Sequence, residues 1–179
     1  FVLKKDREFV LMNSDKKLST LQFTKLEGLF ERRLADESLA YLLGVKGFYG
    51  LDFIVDKYVL VPRPETEMMV DDIISISNSD SSIIDMGTGS GCIAVSLAKH
   101  SRHKNIFAVD ISQDALRVAR KNAKINNAKI NFIQSDLFQV FLDKRLLKAK
   151  EIIIAANLPY LTAEQIAKSP SIKKEPRLA

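Results

Sequence analysis

Cysteine, histidine and tryptophan are scarce or missing in this sequence of 179 residues, which contains one Cys, two His and no Trp. The lone Cys92 excludes an internal disulfide, and with His100 and His103 it forms no familiar zinc-binding spacing, so we expect no metal site. A chain without disulfides fits a reducing compartment, which favours the cytoplasm. No apolar run approaches the roughly 20 residues of a membrane-spanning helix, so no membrane partner is expected.

The two ends of the chain also lack features of a complete protein. The sequence begins with Phe1 rather than Met, shows no signal peptide, and stops in Pro-Arg-Leu-Ala at residues 176–179. We therefore expect a piece of a longer protein. The composition is otherwise ordinary, with 46% hydrophobic and 27% charged residues. That profile is typical of a globular domain, here with room for a small second one.

Positive charge is concentrated in the second part of the chain. The net charge is +5, and residues 111–179 contain 13 Lys and Arg against 6 Asp and Glu. Such an excess is typical of proteins that contact nucleic acid. Most of these cations lie on predicted helices that need a solvated face, so the charge pattern alone favours a solvated surface over a nucleic acid partner.

The first 45 residues are predicted to be helical. Residues 19–22, Ser-Thr-Leu-Gln, form a capping box ahead of apolar residues at helical spacing. Asp36 is predicted to cap a second, short helix from Glu37 to Leu43, which Gly44 ends. We assign residues 1–45 to a small helical domain.

A β-hairpin linker is predicted over residues 46–62. Apolar residues alternate on both sides of Asp56-Lys57, which predicts two short strands; they are Phe53, Val55, Val59 and Val61. Pro62 and Pro64 mark the end of the hairpin, and a helix from Glu65 to Ser77 follows. The remaining residues, 63–179, are assigned to a second domain.

Short apolar runs alternate with helical patterns from residue 82 onward. The predicted strands are Ser82–Met86, Asn105–Val109, Ile130–Ile133 and Ile152–Ala155. Helices are predicted between them over Cys92–Lys99, over the segment after Ser112, and over residues 139–148. This alternation predicts an α/β fold with a parallel sheet and right-handed crossovers.

A glycine-rich turn follows the first of these strands, with Asp85 and Met86 leading into Gly87-Thr88-Gly89-Ser90-Gly91. Glycine permits positive φ and lets a ligand approach the backbone closely. The helix behind the turn offers free N–H groups. Because ligands of open parallel sheets bind at the carboxyl ends of the strands, the turn predicts a site for a nucleoside-like ligand.

Acidic residues at two further strand ends narrow the choice of ligand class. Asp110 follows the second strand, where a carboxylate can accept both hydroxyls of a ribose, as in NAD enzymes. The glycines at 87, 89 and 91, however, do not follow the dinucleotide spacing. With Asp85 in front they resemble motif I of the class I methyltransferases, a family that places an adenine contact where Asp136 stands. The alternative is a tight turn with helix-capping acids, which the combination disfavours.

The segment Asn157-Leu158-Pro159-Tyr160 directly follows the fourth strand. It resembles the Asn-Pro-Pro-Tyr motif of methyltransferases that act on planar nitrogens, namely adenine N6, cytosine N4 and glutamine amides. An amide nitrogen is a poor nucleophile, so the Asn157 side-chain oxygen and the Leu158 carbonyl are predicted to hold its N–H groups. Pro159 restricts Leu158 to an extended conformation, and the Tyr160 ring can stack on the planar target.

Three stretches upstream resemble the release-factor glutamine methyltransferases, often called HemK or PrmC. They are residues 40–44 (Ala-Tyr-Leu-Leu-Gly), 48–53 (Phe-Tyr-Gly-Leu-Asp-Phe) and 59–67 (Val-Leu-Val-Pro-Arg-Pro-Glu-Thr-Glu), and Arg32-Arg33 also fits. The resemblance covers residues 32–179. The Pro-Arg-Pro-Glu-Thr-Glu segment is its most specific part.

The resemblance implies a Rossmann-like class I methyltransferase fold, with an incomplete sheet because family members continue with further strands. It implies transfer of a methyl group from S-adenosylmethionine to the glutamine of a Gly-Gly-Gln loop in a class 1 release factor, docked on residues 1–45. The implied donor site is Asp85, Gly87, Thr88, Gly89, Ser90, Gly91, Asp110, Asp136, Leu137 and Asn157. The implied acceptor site is Asn157 to Tyr160, with Asn157, Pro159 and Tyr160 catalytic. Arg63 and Glu65 are expected near the pocket mouth, and a monomer is expected.

One departure from the family keeps alternatives open. Leu158 stands where the family usually has proline, and Asn-Leu-Pro-Tyr is also the form found in rRNA adenine dimethyltransferases. The second hypothesis is therefore an adenine-N6 methyltransferase acting on RNA or DNA, for which nucleic acid would be the partner. A third is a non-catalytic docking module. The linker segment around Pro62 to Glu67 favours the protein glutamine.

Overall fold

The N-terminal region of the computed structural model, which describes residues 2–142 and 151–158, is helical, as predicted. It consists of α1 (Arg7–Met12), α2 (Thr20–Leu34) and α3 (Leu39–Leu43). The capping box of α2 is confirmed, because the Gln22 N–H donates to the Ser19 hydroxyl at 3.3 Å and the Gln22 side chain accepts from the Ser19 N–H at 3.0 Å.

The predicted N-cap of the short helix that Gly44 ends is wrong by two residues. Ser38, not Asp36, is the N-cap of α3, and its hydroxyl accepts from the Tyr41 N–H at 3.3 Å. Asp36 instead has φ of +64° in the turn before it. Gly44 ends α3 in the left-handed conformation, as predicted.

The linker does contain a β-hairpin, but its strands lie earlier than predicted. They are β1 (Val45–Phe48) and β2 (Leu51–Ile54), paired antiparallel around Tyr49-Gly50. Both turn residues have positive φ, which suits a two-residue hairpin loop. The alternating residues after β2 form no strand; Val55 and Val59 are buried against Ala115 and Val118 of a helix, so burial rather than strand pairing explains the pattern.

The remaining described elements form the α/β domain. A 3-10 turn (Pro64–Thr66) leads into α4 (Glu67–Ile76), close to the predicted helix. The strands are β3 (Ser82–Met86), β4 (Asn105–Asp110), β5 (Asn131–Gln134) and β6 (Ile152–Ala156), and the helices are α5 (Cys92–His100) and α6 (Gln113–Ile125). Of the helix predicted over 139–148, a 3-10 turn covers Gln139–Leu142, and residues 143–150 lie outside the described part.

All four strands of the second sheet are parallel, in the order β5-β4-β3-β6. The chain runs outward from β3 through β4 to β5 and then returns to the other side of β3. In open α/β sheets such a reversal creates a crevice at the carboxyl ends of the strands. Met86 is paired with Val109 on one side and Ala156 on the other, so the glycine turn and Asn157 leave the sheet side by side.

The core explains why β3 is buried on both faces. All five residues of β3 are buried, because α4, α5 and α6 cover one sheet face and Phe107, Ile133 and Phe141 pack on the other. The two faces share β3, with Ile83 in one cluster and Ile84 in the other. The predicted α/β class with a parallel sheet is confirmed. No helix within residues 2–142 or 151–158 has the length and apolarity to cross a membrane.

Candidate active site

A cavity of about 680 Å³ opens at the carboxyl ends of the parallel strands. Its volume lies in the range that small-molecule sites occupy. The predicted residues that line it are Gly87, Thr88, Gly89, Ser90, Asp110, Asp136, Leu137, Asn157 and Leu158. The structure therefore brings together predicted donor-side and acceptor-side residues from four separate strand ends.

Other predicted residues lie beside the cavity or outside the described part of the chain. Asp85 and Gly91 are not among the lining residues, and they act on the turn from behind. Arg63 lines the cavity and Glu65 does not. Pro159 and Tyr160 lie outside the described residues, so their predicted roles remain predictions.

The glycine turn has a backbone conformation in which residues other than glycine would be strained. Gly87, Gly89 and Gly91 have φ of +69°, +53° and +81°. A Cβ on Gly87 would lie 2.7 Å from Cδ2 of Leu158, so the Leu158 side chain covers this end of the turn. The Thr88 N–H donates to the Val109 carbonyl at 2.9 Å, which ties the turn to β4.

Asp110 braces the turn from the end of β4. Its Oδ2 accepts from the Gly89 N–H at 2.9 Å, and its Oδ1 accepts from the Ser112 N–H at 2.9 Å. Each carboxylate oxygen has more than one lone pair, so both keep capacity for a ligand hydroxyl. The two backbone bonds hold the carboxylate at the cavity wall, where it was predicted.

Asp85 is a fully buried carboxyl behind the turn, 1% exposed. Its Oδ2 accepts from the Thr88 hydroxyl at 2.6 Å and from the Ala94 N–H at 3.1 Å, whereas Oδ1 has no hydrogen-bond partner among the described residues. Burial raises the pKa of Asp85 to about 6 against these two hydrogen bonds, and the charge of Asp110 adds to the rise. Asp85 thus ties the turn to the start of α5.

The loop after β5 supplies the third predicted contact. Its Ser135 N–H donates to the Asp110 carbonyl at 3.1 Å, which keeps the loop beside β4. Asp136 and Leu137 are exposed at the cavity, and Leu137 has φ of +46°. An exposed leucine in a left-handed conformation at a cavity wall fits a ligand contact better than a core role.

Asn157 emerges from β6 opposite the glycine turn. Its Nδ2 donates to the Thr66 hydroxyl at 3.3 Å, across 91 positions of sequence. With Nδ2 on Thr66, Oδ1 is the atom that can accept a hydrogen bond from a ligand. Thr66 belongs to the 3-10 turn before α4, so the linker segment reaches the acceptor side of the cavity.

Sequence reasoning missed several lining residues. The segment that begins after β2 was predicted to contain the turn and second strand of the hairpin, but it forms a cavity wall that includes Lys57, Tyr58 and Leu60. The Tyr58 ring lies under two cations, with Lys57 Nζ 5.1 Å and the Arg117 guanidinium 5.5 Å from its centroid. The Pro62–Glu67 resemblance was the only signal that pointed to this wall.

Cys92, at the start of α5, also lines the cavity. Burial raises the pKa of the Cys92 thiol to about 12, and the charge of Asp85 adds to the rise. A thiol held in its protonated form is a poor nucleophile. Its contribution is therefore a small apolar surface at the start of α5.

Comparison with known proteins gives two family matches along the chain. Residues 65–166 match the methyltransferase small domain family, and residues 1–44 match the PrmC N-terminal domain. The chain is similar to the release factor glutamine methyltransferases of Geobacter sulfurreducens (36% identical over 97% of this chain) and Flavobacterium psychrophilum (38% identical over 95%). It covers 60% and 61% of those proteins, so the chain spans about three fifths of the length of these curated relatives.

A solved structure is similar at the level of the fold. The tRNA m1G37 methyltransferase of M. jannaschii is 27% identical, with a TM-score of 0.51. The similarity covers 72% of this chain and 39% of that one.

Proposed function

Since this chain belongs to the methyltransferase small domain family and carries a PrmC N-terminal domain, we propose that it is the site-bearing part of a protein glutamine methyltransferase. The proposed donor is S-adenosylmethionine. The proposed acceptor is the side-chain amide nitrogen of the glutamine in the Gly-Gly-Gln loop of a class 1 release factor. The observation that carries the proposal is that Asn157 and the glycine turn line one cavity at the strand reversal.

The donor side of the cavity fits this ligand. The glycine turn presents backbone without side chains, and a Cβ on Gly87 would fill the space toward Leu158. Asp110 is oriented by two backbone N–H groups and can accept both hydroxyls of a ribose. Leu137 offers apolar surface for a purine, and Asp136 offers an acceptor for an exocyclic amino group.

The acceptor side supplies hydrogen-bond acceptors rather than a base. When bound, S-adenosylmethionine supplies an electrophilic methyl group on a sulfonium. Asn157 Oδ1 and the Leu158 carbonyl accept hydrogen bonds from the two N–H groups of the substrate amide. These hydrogen bonds hold the amide nitrogen at the donor side of the cavity. These bonds favour pyramidal nitrogen, whose lone pair forms the new C–N bond as the C–S pair goes to sulfur. The nitrogen then loses a proton to solvent.

The division of labour along the chain is part of the proposal. Residues 1–45 would dock the release factor, residues 46–62 would form the linker, and residues 63–179 would carry the chemistry. In the helical part an apolar groove of about 480 Å³ runs between α1, α2 and α3. A cytoplasmic monomer is the form proposed.

The test is methyl transfer by the full-length protein from donor labelled in its methyl group. We expect label on the release-factor glutamine, and none on a factor with that glutamine replaced. Asn157→Ala should abolish transfer, whereas Asn105→Ala, an exposed asparagine at the opposite end of β4, should not. Label on rRNA or DNA but not on the factor would replace this proposal with adenine methylation, and no transfer despite donor binding would favour a docking module.

A further inference from the structure

Asn122 is a fully buried amide on α6 whose hydrogen bonds all go to other parts of the chain. Its Nδ2 donates to the Ile54 carbonyl at 2.9 Å and to the Ser90 carbonyl at 2.8 Å. Its Oδ1 accepts from the Ile54 N–H at 2.7 Å. One side chain therefore joins the end of the hairpin to the glycine turn.

The two segments that Asn122 joins both lead into the lining of the cavity. Ile54 is the last residue of β2, and the wall segment with Lys57, Tyr58 and Leu60 begins directly after it. Ser90 lies in the glycine turn that forms the donor side. Because Asn122 bonds both backbone groups of Ile54, it fixes that residue in orientation as well as position.

A second contact of the same helix supports this arrangement. A Cβ on Gly91 would lie 3.1 Å from Cβ of Ala119, so α6 lies directly against the end of the glycine turn. Ala119 and Asn122 are three positions apart and therefore share one face of α6. That face sets the turn by close packing at Gly91 and by a hydrogen bond at Ser90.

We propose that Asn122 is a positioning residue that couples donor binding at the glycine turn to the cavity wall formed by Lys57, Tyr58 and Leu60. It holds the glycine turn at a set distance from the segment that follows Ile54. When a bound donor orders the glycine turn, the segment that follows Ile54 is therefore ordered as well. The inference rests on the proposed function, because it takes the ligand of the glycine turn to be S-adenosylmethionine. Asn122 touches neither substrate.

The chain offers a matched pair of variants for the test. In Asn122→Asp the side chain keeps its shape and the acceptor for Ile54, but as a carboxylate it can no longer donate to either carbonyl. Asn126 lies one turn later on α6, and its Nδ2 donates to the carbonyls of Asp52 and Asn122 at 3.0 Å each. The Asn126→Asp variant thus loses a hydrogen bond to the hairpin at Asp52, whereas the bond from Asn122 to the glycine turn remains.

Calorimetry with S-adenosylmethionine on the full-length protein is the first measurement, at a temperature where all forms are folded. We expect Asn122→Asp to raise the dissociation constant about tenfold, the effect of losing the one buried hydrogen bond that reaches the glycine turn, at Ser90. Asn126→Asp should change the dissociation constant less than about twofold. A purely structural role would lower the melting temperature and leave the dissociation constant of the folded protein unchanged. Equal constants for the two variants would overturn the inference.

A second measurement needs no variant, so it decides the matter even if Asn122→Asp does not fold. We expect saturating S-adenosylmethionine to slow hydrogen exchange at the Ile54 N–H severalfold. The Tyr49 N–H is the control, because it donates to Glu67 Oε1 at 2.8 Å at the other end of the hairpin and has no bond to Asn122. Unchanged exchange at Ile54, or equal slowing at both, contradicts the coupling. If the unmodified protein binds no donor, the proposed function itself fails.

Discussion

Thr66 accepts a hydrogen bond from the side-chain amide of Asn157 at 3.3 Å, across 91 positions of sequence. The pair joins the 3-10 turn before α4 to the segment after β6. In this arrangement Nδ2 is held by Thr66 and Oδ1 can accept from the substrate amide. Thr66 is therefore a positioning residue for the proposed acceptor site.

Replacing Thr66 by Val should lower kcat while leaving donor affinity unchanged. Valine keeps the shape but removes the hydroxyl, so the Asn157 amide can rotate out of its productive orientation. We expect a loss of about tenfold in kcat, equal to about 1.4 kcal/mol. Steady-state kinetics with release factor measures it, and Thr66→Ser should retain most of the rate. Wild-type kcat for Thr66→Val would exclude the positioning role.

Alanine at Gly91 should destabilise the protein. The residue has φ of +81°, and its Cβ would lie 3.1 Å from Ala119 Cβ and 3.3 Å from its Cα. Strain and overpacking together should cost about 2 to 4 kcal/mol in the free energy of unfolding. Gly28→Ala is the opposite case, since it lies within α2 with nothing within 4 Å of its Cβ, and it should stabilise by about 0.5 to 1 kcal/mol. Denaturant titration gives both values, and equal shifts would contradict the packing argument.

Asp85 should make the protein less stable as the pH rises. Its pKa is about 6 in the folded state against an ordinary value of 3.8, so between these values the folded state keeps a proton that the unfolded state has released. The free energy of unfolding therefore falls as the pH rises through this window, by about 3 kcal/mol in total. The stabilisation by the proton that the folded state retains is absent above pH 6.

The measurement for Asp85 is urea unfolding at a series of pH values. Asp85→Asn should lose this component of the pH dependence, because it does not titrate. Asp80→Asn changes an exposed carboxyl in the loop before β3 and should keep the wild-type slope. Parallel slopes for wild type and Asp85→Asn between pH 4 and 6 would show that burial does not set the titration of this group.

Tyr41 connects the helical part to the cavity wall. Its hydroxyl donates to the carbonyl of Val59, a residue only 1% exposed, at 2.7 Å. In Tyr41→Phe this carbonyl loses its partner, which should cost about 1 to 2 kcal/mol in the free energy of unfolding. Tyr58→Phe, on the more exposed side of the same wall, should change it by less than about 0.5 kcal/mol. Thermal and denaturant unfolding of both variants check this, and a neutral Tyr41→Phe would contradict it.

Local sequence was sufficient for the four described strands of the α/β part. The four predicted strands agree with β3 to β6 within one residue at each end, because apolar runs between helical patterns have few other solutions. The capping box at Ser19 was likewise readable, since it involves only residues three positions apart. The resemblance to the HemK and PrmC family, read from residues 40–67, is confirmed by the two family matches.

Prediction failed where burial and strand pairing produce the same pattern. Val55 and Val59 alternate like a strand, but they are buried against α6 and belong to no strand. The true hairpin contains Gly47 and turns at Tyr49-Gly50, upstream of the predicted turn at Asp56-Lys57. A short sequence window cannot distinguish these cases, because the deciding contacts lie some 60 residues away.

The sequence by itself determined the chemistry that is possible: a glycine turn, acids at strand ends and an amide after the last described strand. These are local properties, set by residue type and by distance from a strand end. Only the tertiary structure decided that Thr66 orients Asn157 and that Asn122 joins Ile54 to Ser90. Such bonds connect residues 32 to 91 positions apart, and they exist only because the strand order β5-β4-β3-β6 and the packing of α6 bring those residues together.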